Sequence, residues 1–390
     1  MHKHIRGIAT VASFLMLVSI SNAAVNQPRP SPRPRPQPRN LHAGAVYVLT
    51  NQVLNTVTVF NRASNGTLTS VGEFSTGGAG DPVAQPQDPP TDPLASQGAL
   101  VLAQNQFLFA VNAGSNQISV LKILNDGLDL VGVFDSGGVR PISLTVHDNL
   151  LYVINEGGTP NITGFTIGDD GTLTPLADST QPLIGGTAAD PAQVSFNPDG
   201  TLLLVTEKAG NRIDAYTIDQ NGLPSPPIDN ASNGMTPFGF AFNNAGFLVI
   251  SEAFGGTPNQ AAASSYGVAD DGILSVISGS VANSQTASCW VVIVNNGKFA
   301  FVSNTGSGTI SSYGIAPGAG TLTLSNPLAV NSGPDSALRD MALNNSSKFL
   351  YVQAAGGQEV LSFRVDQDGN LTLIDTDEGL PFGAQGIAAK

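Results

Sequence analysis

Three glutamates stand at matching places in the chain. Glu156, Glu207 and Glu252 follow the hydrophobic tetrapeptides LLYV, LLLV and FLVI at the same offset or one residue beyond, and Asn112 and Asn304 follow FLFA and FAFV in the same way. Carboxylates brought together by a repeat can bind a cation, act as acid and base, or hold a polyol. Each can instead cap its own loop by accepting backbone N–H bonds. Lys208 and Arg212 follow Glu207 in TEKAGNR, placed to neutralise it or to receive an anionic group; a local ion pair is the commoner outcome. Arg339 and Asp340 form an adjacent cation and anion pair, and His147 ends a strand beside a turn. The single cysteine, Cys289, rules out an internal disulfide and sits in the apolar run CWVVIV, where a free thiol usually serves as a small buried hydrophobe.

The elements that position these residues recur. The tetrapeptide starts at 45, 107, 150, 202, 247, 299 and 349, seven copies spaced 43 to 62 residues apart. Around one copy, ISLTV, LLYVIN, ITGFTI and TLTPL between Ile142 and Leu176 read as four short strands rich in β-branched and aromatic residues. The third and fourth strands of each copy are joined at Asn65-Gly66, Asp126-Gly127, Asp170-Gly171, Asn221-Gly222, Asp271-Gly272, Gly318-Ala319-Gly320 and Asp368-Gly369, tight-turn signals in which glycine supplies the positive φ. None carries the alternating ligand run and distal Glu of a calcium loop. Four strands per repeat at this spacing predict an all-β, seven-bladed propeller.

Only six copies have an inner strand ahead of the tetrapeptide. The seventh is predicted at the other end: PFGAQGIAA at 381–389 resembles the PFGFAFN that begins at Pro237, so the tail completes the blade that the head begins. Such closure removes the open sheet edge. Aligning the inner strands puts Ile142, Ala192, Phe238, Trp290, Arg339 and Phe382 at one level of the channel mouth, followed by Gln193, Gly239, Val291, Asp340 and Gly383.

Ahead of the repeats, residues 1–23 read as a secretory signal peptide, with a basic start, an apolar run from Ile8 to Ile20 and Ser21-Asn22-Ala23 as the cleavage site. Residues 24–43 form a Pro/Arg-rich extended linker, leaving 44–390 as the propeller. Export followed by cleavage predicts a secreted or periplasmic protein with no integral membrane contact. Beyond residue 40 the chain holds 10 basic and 29 acidic residues, a net charge of −19 that repels nucleic acid. Two insertions interrupt the repeat, at 77–98 and 255–264, and the first is either a lid over one face of the ring or a surface loop.

PAQVSFNPDGTLLLVTEKAGNRIDAYTI, TPFGFAFNNAGFLVISEAFGG and LRDMALNNSSKFLYVQAAGG resemble the lactonase family of seven-bladed propellers, which includes 6-phosphogluconolactonases and 3-carboxymuconate cyclases. The resemblance spans about residues 44–389. It implies a catalytic histidine after a proline in one inner strand, an arginine after a proline in the next, and a glutamate leaving that blade's second strand. Here Pro191 is followed by Ala192 and Pro237 by Phe238, and only Glu252 matches. The resemblance therefore implies a hydrolase of an uncharged lactone. In that reading Glu207 and Glu252 do the acid and base work, Arg339 steadies the oxyanion, and Glu156, Gln193, Arg212, Phe238, Trp290 and Asp340 bind substrate. No metal and no cofactor is called for, and a monomer is expected. The alternative is a non-catalytic propeller whose face binds a protein, a glycan or a small ligand.

Overall fold

A computed structural model describes residues 42–82, 92–104 and 106–390. The segment read as a signal peptide and nearly all of the segment read as a linker lie outside these residues. The described chain forms seven antiparallel sheets, with neighbouring strands consecutive in sequence except where the C-terminal strand joins the first blade and a short extra strand joins the third. Blade 1 joins Gly44–Leu49, Thr56–Arg62 and Leu68–Ser75 to the C-terminal Ile387–Ala389, with Val46, Tyr47 and Val48 opposite Ala389, Ala388 and Ile387. Head and tail thus share one sheet, as the incomplete first repeat predicts. Blade 3 carries a short extra strand, Gln181–Pro182, on Asn161–Ile167.

Two sequence repeats meet across each blade boundary. The tetrapeptide's first residue packs beneath the hairpin glycine of the next blade: a Cβ on Gly171, Gly222, Gly369 or Gly66 would strike Phe107, Leu150, Phe299 or Phe349. These glycines also sit at positive φ, between 78° and 96°. Asn-Gly and Asp-Gly recur because the turn needs the left-handed region and the neighbouring blade needs the space. Tyr152 and Tyr351 add a hydroxyl bond from the tetrapeptide to the carbonyls of Gly222 and Gly66, at 2.6 and 3.0 Å. Each interface is thereby apolar in bulk and polar only where a partner waits.

The inner strands are Leu100–Ala103, Val139–His147, Pro191–Phe196, Pro237–Phe242, Ser288–Ile293 and Leu338–Leu343 for blades 2 to 7, with Ile387–Ala389 for blade 1. Bulges near the start of the pairing shift the register in blades 3 to 7, for instance between Pro191 and Gln193 and between Pro141 and Ser143. Pairing corrects the alignment of the channel mouth at two places. Trp290 lies opposite Ser303 as Gln193 lies opposite Thr206, so Cys289, not Trp290, stands level with Ala192, Phe238 and Arg339. In the closing strand the level residue is Gln385, whose N–H bonds the Leu49 carbonyl at 2.9 Å. Phe382 falls in the preceding turn and is 40 % exposed. A two-residue pattern read from sequence cannot see a bulge that shifts register by one.

Candidate functional site at the ring's axis

The residue two places past each tetrapeptide decides what the glutamates do. In blades 2 to 6 this position is Asn112, Asn155, Glu207, Glu252 and Asn304, and all five are fully buried. Each binds the crossover that arrives from the preceding blade. Asn112 accepts from Thr76, and Asn155 donates to the Ser136 carbonyl at 3.0 Å. Glu207 accepts from the Gly185 N–H, Glu252 from the Gly234 N–H at 2.9 Å, and Asn304 from Asn283 and Ser288. A Cβ on Gly78, Gly138, Gly185 or Gly234 would collide with the first four of these side chains. The set is a repeated latch between neighbouring blades.

Glu207 and Glu252 share no hydrogen-bond partner. Glu252 also accepts from Ser264 and, at 2.7 Å, from Ser280; burial raises its pKa and these three donors oppose the rise. Beside Glu207 the residue equivalent to Ser264 is Asp214, also fully buried. Burial first, and then a hydrogen bond to Glu207, pushes Asp214 up to about 8. Asp214 is thereby held towards its neutral form. Glu156 lies one residue past the latch and pairs with Arg140. The three glutamates are not brought to one point, and among the described residues no group of three acids, histidines or cysteines could hold a metal ion.

The other sequence-predicted residues divide. Arg212 points away from the axis to Asp229, at 3.6 Å. His147 stacks on Phe196 at the far end of its strand, on the opposite face from the latches. Cys289 is buried, with its thiol pushed well above the usual range. Gln193 clamps the next blade, accepting from the Phe240 N–H at 2.7 Å and donating to its carbonyl at 3.0 Å. Phe238 stacks on Trp290 with ring centres 5.1 Å apart, and Lys208 lies over Phe238.

What gathers at the axis is part of the first insertion. Residues 92–97 lead into the inner strand of blade 2 and touch most of the ring. Arg140 donates to the Pro93 carbonyl at 2.7 Å, Lys208 to Ala95 at 2.8 Å, and Ser143 to Gln97 at 2.6 Å. Trp290 Nε1 and Gln385 both donate to the Ser96 carbonyl, at 3.0 and 3.1 Å, and Gln385 reaches Asp92 at 2.6 Å. Contacts from blades 3, 4, 6 and 1 on six consecutive residues are possible only at the centre of the ring.

Gln97 explains why blade 5 carries a glycine. Its amide bonds both the N–H and the carbonyl of Val291 in blade 6, at 3.0 and 2.9 Å, the same clamp that Gln193 makes on blade 5. Blade 5 has Gly239 where blade 4 has Gln193, and a Cβ there would strike Gln97 Oε1. The insertion therefore replaces a side chain that the repeat lacks. Sequence reading offered lid or surface loop; the described part is neither, and the missing glutamine at Gly239 was the one signal of it.

Beneath this segment lies Arg339, 2 % exposed, with Nε and Nη1 lacking any acceptor among the described residues. Burial lowers it to about 10, against the attraction of Asp92 and Asp340. Asp340, held by the Met341 N–H, is raised by burial to about 8. Asp92 is likewise raised by burial, with Arg339 and Lys208 pulling it back. Opposite Arg339 and Asp340 in the strand pairing, the amide of Gln353 is also buried with no partner on either atom. A buried guanidinium is costly unless its donors are matched.

The family profile described as "Lactonase, 7-bladed beta-propeller" matches residues 38–182 and 270–383. The chain belongs to the seven-bladed lactonase family. The stretch between the two matches holds blade 4 and the first three strands of blade 5, where Ala192 and Phe238 stand in place of the histidine and arginine that the family resemblance implied. No curated protein matches the sequence. Among solved structures, the periplasmic gluconolactonase of Pseudomonas aeruginosa superposes with a TM-score of 0.67 at 14% identity, covering 88% of this chain and 98% of its own. A candidate 6-phosphogluconolactonase from Bacteroides fragilis gives 0.68 at 18% identity, covering 91% and 100%. A protein of unknown function from Desulfotomaculum acetoxidans gives 0.66 at 14%, covering 89% and 98%. At these identities the likeness establishes the lactonase-family fold alone.

Proposed function

We propose that this lactonase-family propeller is an exported hydrolase that opens an uncharged lactone at the axial mouth, on the face where residues 92–97 lie. One observation carries the reading: Arg339 is buried with two guanidinium nitrogens unpartnered, next to a carboxyl raised to about 8. Ring opening passes through a tetrahedral oxyanion, and a desolvated guanidinium with free N–H groups is suited to hold it. Asp340 takes the proton of the attacking water and returns it to the leaving alkoxide. Phe238 and Trp290 supply the apolar wall. Glu207 and Glu252 act as positioning residues through their latches, Glu156 orients Arg140, Gln193 holds blade 4 to blade 5, and Arg212 ties the two outer strands of blade 4 through Asp229. No step needs a cofactor.

Family membership supports the reaction class, and the name of the Pseudomonas relative supports glucono-1,5-lactone as the first substrate to try. The basic start, apolar run and Ser21-Asn22-Ala23 of the N-terminus support export. N-terminal sequencing of the exported protein tests the cleavage site. Activity is tested by following proton release from a panel of sugar, acyl and aryl lactones. The expected result is turnover that rises with pH towards about 8, as Asp340 loses its proton. No release from any member of the panel overturns the reading. A second reading, a non-catalytic ligand-binding propeller, is favoured by one observation: residues 92–97 already fill the mouth.

A further inference from the structure

The hydrogen bonds that hold residues 92–97 run mainly one way, although the Leu94 N–H donates to Gln385 Oε1, Ser96 Oγ to the Ile142 carbonyl, and the Gln97 N–H and side-chain amide to the carbonyls of Ala192 and Val291. Five ring side chains, Arg140, Ser143, Lys208, Trp290 and Gln385, all donate, and what they meet are the carbonyl oxygens of Pro93, Ala95, Ser96 and Gln97 and the carboxylate of Asp92. Arg339 adds further donors that meet nothing, and no ion pair within 4 Å is formed between it and Asp92 among the described residues. The segment's carboxylate thus faces the buried cation without reaching it. A surface of donors around one unmatched guanidinium recognises a small molecule with a carboxylate and several acceptor oxygens.

We infer that residues 92–97 are an internal occupant of a hydroxy-carboxylate site, and that an open-chain polyhydroxy acid binds at Arg339 by displacing Asp92 and the carbonyls that follow it. The inference rests on the proposed function for its choice of ligand, since opening a lactone produces such an acid. It explains the backbone oxygens with which the segment meets these donors, since a ligand's own oxygens can take their place and its hydroxyls can donate where the segment donates. It also gives the ring a built-in competitor, because ligand and segment exclude each other.

The test is calorimetric titration of the full chain with gluconate, together with hydrogen exchange of the backbone amides at 92–98. Gluconate should bind and should speed exchange across the segment. Gln97→Ala removes the two bonds to Val291 and should tighten gluconate binding about tenfold. Asp92→Asn weakens the competing carboxylate and should tighten it in the same direction. Arg339→Met should weaken binding about tenfold or more, since a charge-assisted bond is lost. Circular dichroism confirms the fold of each variant, and Asp92→Asn alone decides the matter if Arg339→Met does not fold. Absence of binding to both wild type and Gln97→Ala overturns the inference, as does binding that leaves exchange at 92–98 unchanged. Gluconate binding without lactone turnover upholds this site and refutes the hydrolase; turnover with no acid binding does the reverse.

Discussion

Blades 4 and 5 and the axis beside blade 7 both bury charge, in opposite ways. Glu207 and Glu252 are fully buried, and each accepts the hydrogen bonds of a crossover that its blade must hold. Arg339 is just as buried, yet Nε and Nη1 have no acceptor among the described residues. A buried charge with its partners in place contributes to the fold, whereas one without them weakens it and persists where a ligand or a reacting atom makes up the difference. Burial and charge alone do not separate the two cases; the list of partners does.

The comparison makes its largest difference in stability at Glu252. Truncation to Ala leaves the Gly234 N–H and the hydroxyls of Ser264 and Ser280 without an acceptor, and should cost about 3–5 kcal/mol in denaturant unfolding. Arg339→Met should be neutral or stabilising by about 1 kcal/mol or more, because it removes an unmatched charge and leaves an apolar side chain of similar length. Loss of stability in Arg339→Met comparable to that in Glu252→Ala would erase the distinction.

Dependence on pH comes next in size. Asp214 and Asp340 are both raised to about 8 from an ordinary value of 3.8. Their protonated forms are favoured in the folded chain, so their contribution is complete below the unfolded pKa and falls as pH rises to about 8. Each should tilt the unfolding free energy by about 1.4 kcal/mol per pH unit at most across that window. Asp340→Asn and Asp214→Asn should each flatten part of the slope, measured as urea unfolding at several pH values. The smallest effect belongs to Glu207→Gln, which keeps the latch shape and gives Asp214 a neutral partner. It should shift stability by about 1 kcal/mol.

Sequence alone made the fold legible because its signals are local and repeated: a tetrapeptide, a turn dipeptide and a missing first strand. The latches were visible as a set of residues, but their role was not, since Glu207 and Glu252 at one offset fit a shared pocket as well as five separate anchors. What told them apart was Asn155. It, and not Glu156, completes the series, and an amide in the same place as two carboxylates does latch work that needs no acid. The axis was less legible. Trp290 was displaced by one residue through a bulge, Gln385 by three through the tail's turn, and Asp92 joined Arg339 through an insertion whose path no periodicity encodes. Gly239 in the place of a glutamine was the local trace of that path.

The account turns on Arg339 as the group that meets the substrate's oxygen. The direct measurement is the initial rate of glucono-1,5-lactone opening by Arg339→Met and by Glu207→Gln, each checked for an intact unfolding midpoint. The account predicts a loss of about 100-fold or more in the first and a change within about threefold in the second. A rate kept in Arg339→Met, or lost in Glu207→Gln with its fold intact, would contradict it.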